Sequence, residues 1–178
     1  CGREPHPPIE YAQEAVDWVR ASVYVNCWCC HPHESEALWR LYTLPSGAAI
    51  STTFSKLANA LPPECHIGCV RYLDYDADAP DADNFYNLAA HKRVFFSHER
   101  EVRVASVVPR MRRQPEQPPS TPPFMTYPVE FAAFDAIYMS PYSPDWFFPL
   151  VADLLKRYDC SIPLLRSRMR PHPPETSS

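Results

Sequence analysis

Glycine is nearly absent from this chain: 3 residues in 178, against 22 prolines. The acidic stretch Asp74–Asp83 has none, and it lacks the terminal glutamate of a calcium loop, so it reads as a solvated acidic loop. Positive charge is not in excess either. Lys and Arg number 17 against 21 Asp and Glu, a net charge of -4, so a nucleic-acid polyanion is not the expected partner. No apolar run approaches the ~20 residues of a membrane span, and no membrane partner is expected. No secretory leader is expected from the polar, proline-rich start. The first residue is Cys1 rather than Met, which reads as a processed product, a cropped piece or a fragment. Seven cysteines at irregular spacing make an odd count. Without a leader, the expected setting is a reduced, cytoplasmic one.

What is present suffices for a core. Apolar residues are 46% and aromatics 13%, and the length suits one domain, expected over residues 9–168. Prolines crowd the start, residues 109–124 and the end. This marks 1–8 and 169–178 as flexible termini and 109–124 as a proline-rich loop, basic at Arg110, Arg112 and Arg113. Ile9, Ala12, Val16 and Val19 recur at helical spacing over 9–20. Strands are expected at 23–28, 48–54, 66–75, 99–108, 127–131, 136–140 and 161–167. Helices are expected at 34–42, 55–61, 84–96 and 145–158, the second capped by Ser55. The class is therefore α/β (mixed α+β), with a central mixed sheet of five to seven strands, flanking helices and a C-terminal strand-helix-strand unit.

The run His91–Val108, HKRVFFSHEREVRVASVV, organises the chemistry. Its strand has a period of two: Val102, Val104 and Ser106 point one way, and Glu99, Glu101 and Arg103 the other. The plain account of the polar side is a surface strand paired with Arg71, Lys92 or Arg93. The sharper account is the floor of a polar site, since two neighbouring carboxylates can hold a sugar hydroxyl and stabilise an oxocarbenium-like charge.

Other clusters have bland readings beside the sharp ones. Cys27, Cys29, Cys30, Cys65 and Cys69 invite zinc, but they lie on or beside strands and fit small buried hydrophobes better, so no metal is expected. A catalytic thiol at Cys29 or Cys30, partnered by His31 or His33, rests on adjacency alone. Ser51-Thr52-Thr53 ends a strand, by β-propensity and capping or as the lining of a cleft. Trp39, Arg40 and Tyr42 suit ring stacking and phosphate binding, or half-buried packing. Asp74 and Asp76 with Glu99 and Glu101 would make a metal-dependent nuclease, the last-placed reading.

Taken together, CW at 27–28, ESEALWRLY at 34–42, GAAI at 47–50, HKRVFFSHEREVR at 91–103 and IYMSPYSPDWF at 137–147 resemble an uncharacterised bacterial family known only as a domain of unknown function. Its members read roughly CW…ES.A.W..Y…G.AI…(H/Y)KR..F..E.EVR, and the likeness spans most of residues 24–167. That family is distantly similar to ADP-ribosyltransferase folds, in which an Arg or His on a first strand holds NAD, a Ser-Thr-Ser strand end shapes the cleft and a Glu-x-Glu strand carries the chemistry. Ser51-Thr52-Thr53 and Glu99-Arg100-Glu101 match the last two parts; the first has no counterpart here. The resemblance implies an NAD-processing module in an effector or defence role, with NAD as substrate rather than resident cofactor. Glu101 would be the catalytic carboxylate and Glu99 its partner. Trp39, Arg40, Tyr42, Ser51, Thr53, His91, Arg93 and Arg103 would bind the nucleotide-like ligand. The alternative is a non-enzymatic module that meets a partner protein.

Overall fold

A computed structural model describes residues 22–78, 84–107 and 124–169. The expected helix at 9–20, the proline-rich loop at 109–123 and nearly all of both termini lie outside the described residues. In chain order the elements are β1 (Val23–Cys29), α1 (Glu36–Thr43), β2 (Ala48–Ser51), α2 (Phe54–Ala60), β3 (Cys65–Cys69), β4 (Arg71–Leu73), α3 (Phe85–Ala89), β5 (His91–Arg93), β6 (Glu101–Val107), β7 (Ala136–Met139), α4 (Phe147–Arg157) and β8 (Leu164–Arg166). Short 3-10 turns occupy Val94–Glu99 and Phe131–Ala133. The mixed α/β class is as expected. The single larger sheet is not: among the described residues the strands form two three-stranded sheets and one two-stranded pair.

These elements fall into two compact units, one holding the described residues of 1–30 and 62–127, the other those of 31–61 and 128–178. In the first, β6 is the central strand, flanked antiparallel by β1 and β3. Opposed residues share a face. Cys27 therefore stands beside Arg103 and Cys29 beside Glu101, while Trp28 and Cys69 flank Val102 on the other side. β4 and β5 form the separate parallel pair, with Tyr72 opposite Lys92.

Several expectations are corrected here. The strand expected over 66–75 divides at Val70: its amide still donates to the Glu101 carbonyl of β6 at 2.8 Å, and the next residues, Arg71–Leu73, pair with β5 instead. The helix expected over 84–96 stops at Ala89, since His91–Arg93 pairs with β4. Residues 127–131 form no strand, and the Tyr127 hydroxyl shares a hydrogen bond of 2.7 Å with the Ser106 hydroxyl.

In the second unit β7 is central, antiparallel to β2 and parallel to β8, and α4 makes the crossover between β7 and β8. The strand-helix-strand unit read from the sequence is thus a true parallel one. Ser35 caps α1 and Thr53, not Ser55, caps α2, each through its hydroxyl. Glu34 joins the ends of this unit: it accepts from the Trp39 indole N–H at 3.0 Å and from the Arg168 amide at 2.8 Å.

Scarce glycine has one steric reason. A Cβ on Gly47 would sit 2.7 Å from the Thr43 Cβ and 3.1 Å from its Cα, whereas one on Gly68 meets nothing within 4 Å. Gly47→Ala is therefore expected to destabilise the protein by about 1–3 kcal/mol. Gly68→Ala is expected to be neutral or to stabilise it by up to about 1 kcal/mol, since it removes a flexible residue from a strand. Urea unfolding midpoints of the two variants check this; equal losses would contradict it.

Candidate functional site

The polar side of β6 is neither solvated nor an open floor. Glu99 and Glu101 are each only 4% exposed, and Val102, Val104, Ala105 and Ser106 are buried as well, so both faces of the strand are covered. Two elements do the covering. The parallel β4–β5 ladder sets Tyr72 and Lys92 side by side and aims both at the start of β6. There the Tyr72 hydroxyl accepts from the Glu101 amide at 2.8 Å. α3 brings the Ala89 carbonyl to the Arg103 guanidinium, which donates to it through Nη1, and Tyr86 stacks on His66 with ring centroids 3.9 Å apart.

Between these elements lies a charged cluster. The Lys92 ammonium donates to Glu99 Oε2 at 2.7 Å and to Glu101 Oε2 at 3.3 Å. Arg103 grips Glu101 with two prongs, Nε to Oε1 at 2.9 Å and Nη2 to Oε2 at 3.1 Å. This forked, charge-assisted geometry is the strong form of the interaction. Glu99 is not part of the strand as the alternation implied. It ends the 3-10 turn, and Arg100 follows with φ 45 and ψ 55, a left-handed residue that turns the chain into β6. For a non-glycine this conformation costs about 1–2 kcal/mol. It allows Glu99 and Glu101 to reach the same ammonium.

The cluster fixes the charge states of its members. Burial alone would push the Glu101 carboxyl up. The Arg103 guanidinium, the Cys27 thiol and the Lys92 ammonium outweigh it and hold Glu101 at about 2, against an ordinary 4.5. The cysteines are not the buried hydrophobes expected: Cys27, Cys29, Cys30 and Cys69 are exposed. Partial desolvation and the Glu101 carboxylate still push the Cys27 thiol from 9.0 to about 11. Cys29 is pushed up by burial and by Glu99 and Glu101. Neither thiol is therefore a ready thiolate nucleophile.

The remaining sequence-predicted residues are placed as follows. In the first unit His91 sits on β5 opposite Arg71, and the exposed Arg93 holds its guanidinium 5.6 Å above the Tyr75 ring. In the second, Trp39 is a core residue, 6% exposed, with its indole spent on Glu34, so it offers no face for stacking a ligand. Arg40 pairs with Glu36 at 2.8 Å and lies 4.5 Å above the Tyr142 ring. Tyr42 is exposed on α1. The Ser51 hydroxyl donates to the Ala136 carbonyl at 3.2 Å, and the Thr53 hydroxyl is occupied by the α2 amide of Lys56. Ser51 and Thr53 thus take the capping and packing role. Asp74 is exposed, and its carboxylate accepts the Asp76 amide at 3.1 Å within its own loop. Among the described residues, no group of three or more His, Cys, Asp and Glu side chains is placed to hold a metal ion. No described helix is long and apolar enough to cross a membrane.

No family model matches the chain, and neither a curated protein nor a solved structure matches it. The site therefore rests on its own geometry. Sequence reasoning missed Tyr72, the Ala89 carbonyl and the Cys27 thiol as members of the cluster. The alternation of Cys27 and Cys29 along β1 was a usable signal, because it sets them on one face. The β4–β5 pairing left no such mark.

The depressed Glu101 value has a sign that can be tested. Its stabilising contribution is whole above about pH 4.5 and is lost as pH falls toward about 2. Glu101→Gln leaves the Arg103 cation without its partner and is expected to lower neutral-pH stability by roughly 3–5 kcal/mol. It should also flatten the loss across that acid window. Unfolding midpoints measured across the acid range check both; a variant with wild-type stability and acid profile would contradict the ion-pair description.

Proposed function

We propose that this chain is a non-enzymatic binding module, in which Glu99 and Glu101 belong to a structural ion-pair core. The observation that carries this reading is the occupancy of the Glu101 carboxylate. Arg103 takes both oxygens and Lys92 shares one. A carboxylate that grips a ribose hydroxyl or steadies a cationic transition state needs a lone pair directed at the substrate. Freeing one here would strand a half-buried guanidinium, at a cost of about 3–5 kcal/mol. The raised Cys27 and Cys29 thiols argue in the same direction against covalent catalysis.

One observation favours a second reading. Two neighbouring carboxylates share a single ammonium, with Glu101 held ionised, as an ADP-ribosyltransferase-like site acting on NAD would require of Glu101 and its partner Glu99. A nuclease reading has no comparable support, since the Asp74 carboxylate is engaged by its own turn.

Nicotinamide release from NAD separates the two readings. The expected outcome is the same background signal from the wild-type chain and from Glu101→Gln. Release by the wild type that disappears in the variant, with the variant still folded, would overturn the non-enzymatic reading.

A further inference from the structure

The charged cluster also fixes an exposed apolar turn. Val94, Phe95 and Phe96 follow β5 directly and are 39%, 77% and 42% exposed. Such a group on a loose loop would be unremarkable, but this one is held at both ends. On one side, His91–Arg93 is locked into the β4 ladder. On the other, buried Glu99 is tied back across the turn to Lys92 at 2.7 Å, and the Arg100 amide closes on the Ser97 carbonyl at 3.2 Å. Lys92 also lies 4.8 Å above the Phe96 ring, so one side chain anchors the turn from beneath and holds one of its aromatics.

We propose that the Val94–Phe96 turn is a docking surface for a partner protein that presents apolar side chains flanked by carboxylates. This rests on the binding-module reading above and supplies its contact surface. Rigid aromatics on a pre-ordered backbone are the groups that dominate binding, because little freedom remains to be lost. The charge of the partner follows from the rim. Arg93 and Arg100 are exposed around the turn and give it a basic border in a chain of net charge -4. Lys92 adds nothing outward, since Glu99 and Glu101 neutralise it. An anionic lipid surface fits less well. Leu73 is the register partner of Arg93, so the exposed acidic residues Asp74, Asp76 and Asp78 follow immediately; a continuous plane of phosphates would meet them as well as the basic rim, whereas the few carboxylates of a peptide can meet Arg93 and Arg100 alone.

A phage-displayed random peptide library selected on the full chain tests this. The expected winners combine Leu, Phe or Trp with neighbouring Asp or Glu. Synthetic copies should lose about tenfold or more in affinity for Phe95→Ser. They should weaken for Arg93→Glu and with added salt. Both residues are exposed, so both variants should keep the wild-type unfolding midpoint. Selection that yields no such peptides, peptides that bind Phe95→Ser as tightly as wild type, or capture by phosphatidylserine vesicles without peptide binding would each overturn the proposal. Failure of the underlying reading looks different: nicotinamide release that depends on Glu101, whatever the peptides do.

Discussion

The Glu101 carboxylate, held by the forked guanidinium of Arg103 and the ammonium of Lys92, is the interaction on which the first unit depends. A buried carboxylate is tolerable only with its oxygens satisfied and its charge balanced, and here both conditions are met by residues from β5 and β6 themselves. The arrangement joins pieces that the backbone does not join. β4 and β5 hydrogen-bond to each other and not to the larger sheet. Lys92 and Tyr72 are the side chains that fasten this pair to the start of β6. The Arg103 bond to the Ala89 carbonyl fastens α3 to the same strand.

A consequence is that polar residues do the work of a core. β6 is buried on both faces, one by Val102 and Val104, the other by Glu101, Arg103 and Ala105 with their partners. Buried ion pairs of this kind contribute little net stability beyond what apolar residues would give, and they penalise any arrangement that separates the charges. The left-handed Arg100 fits the same picture. Its conformational cost persists because two carboxylates on either side must reach one ammonium.

The second unit follows simpler rules, and there the sequence was most readable. The pattern from Ala136 to Ser167, with short apolar runs around an amphipathic stretch, gave the parallel crossover correctly. The helix expected over 34–42 is α1, which the structure shows capped by Ser35. The first unit was harder. The break at Val70, the short β5 and the 3-10 turn are set by long-range pairing, whose only trace in the sequence is the absence of a clean period. Alternation placed Glu101 and Arg103 on one face of β6, as observed. It left that face as either a surface strand or the floor of a polar site; Lys92 was among the partners named for it, but a pattern of charges does not reveal that the pairing is buried. Trp39 illustrates the reverse case: an aromatic on a helix reads equally as a stacking platform or as core, and Glu34 decides for core.

The most direct measurement of the account is a carboxyl-carbon NMR titration of Glu101 in the folded chain, with and without NAD. The ion-pair core predicts a midpoint near 2 and no response to NAD. A midpoint at or above the ordinary 4.5, or a resonance that moves when NAD is added, would contradict it.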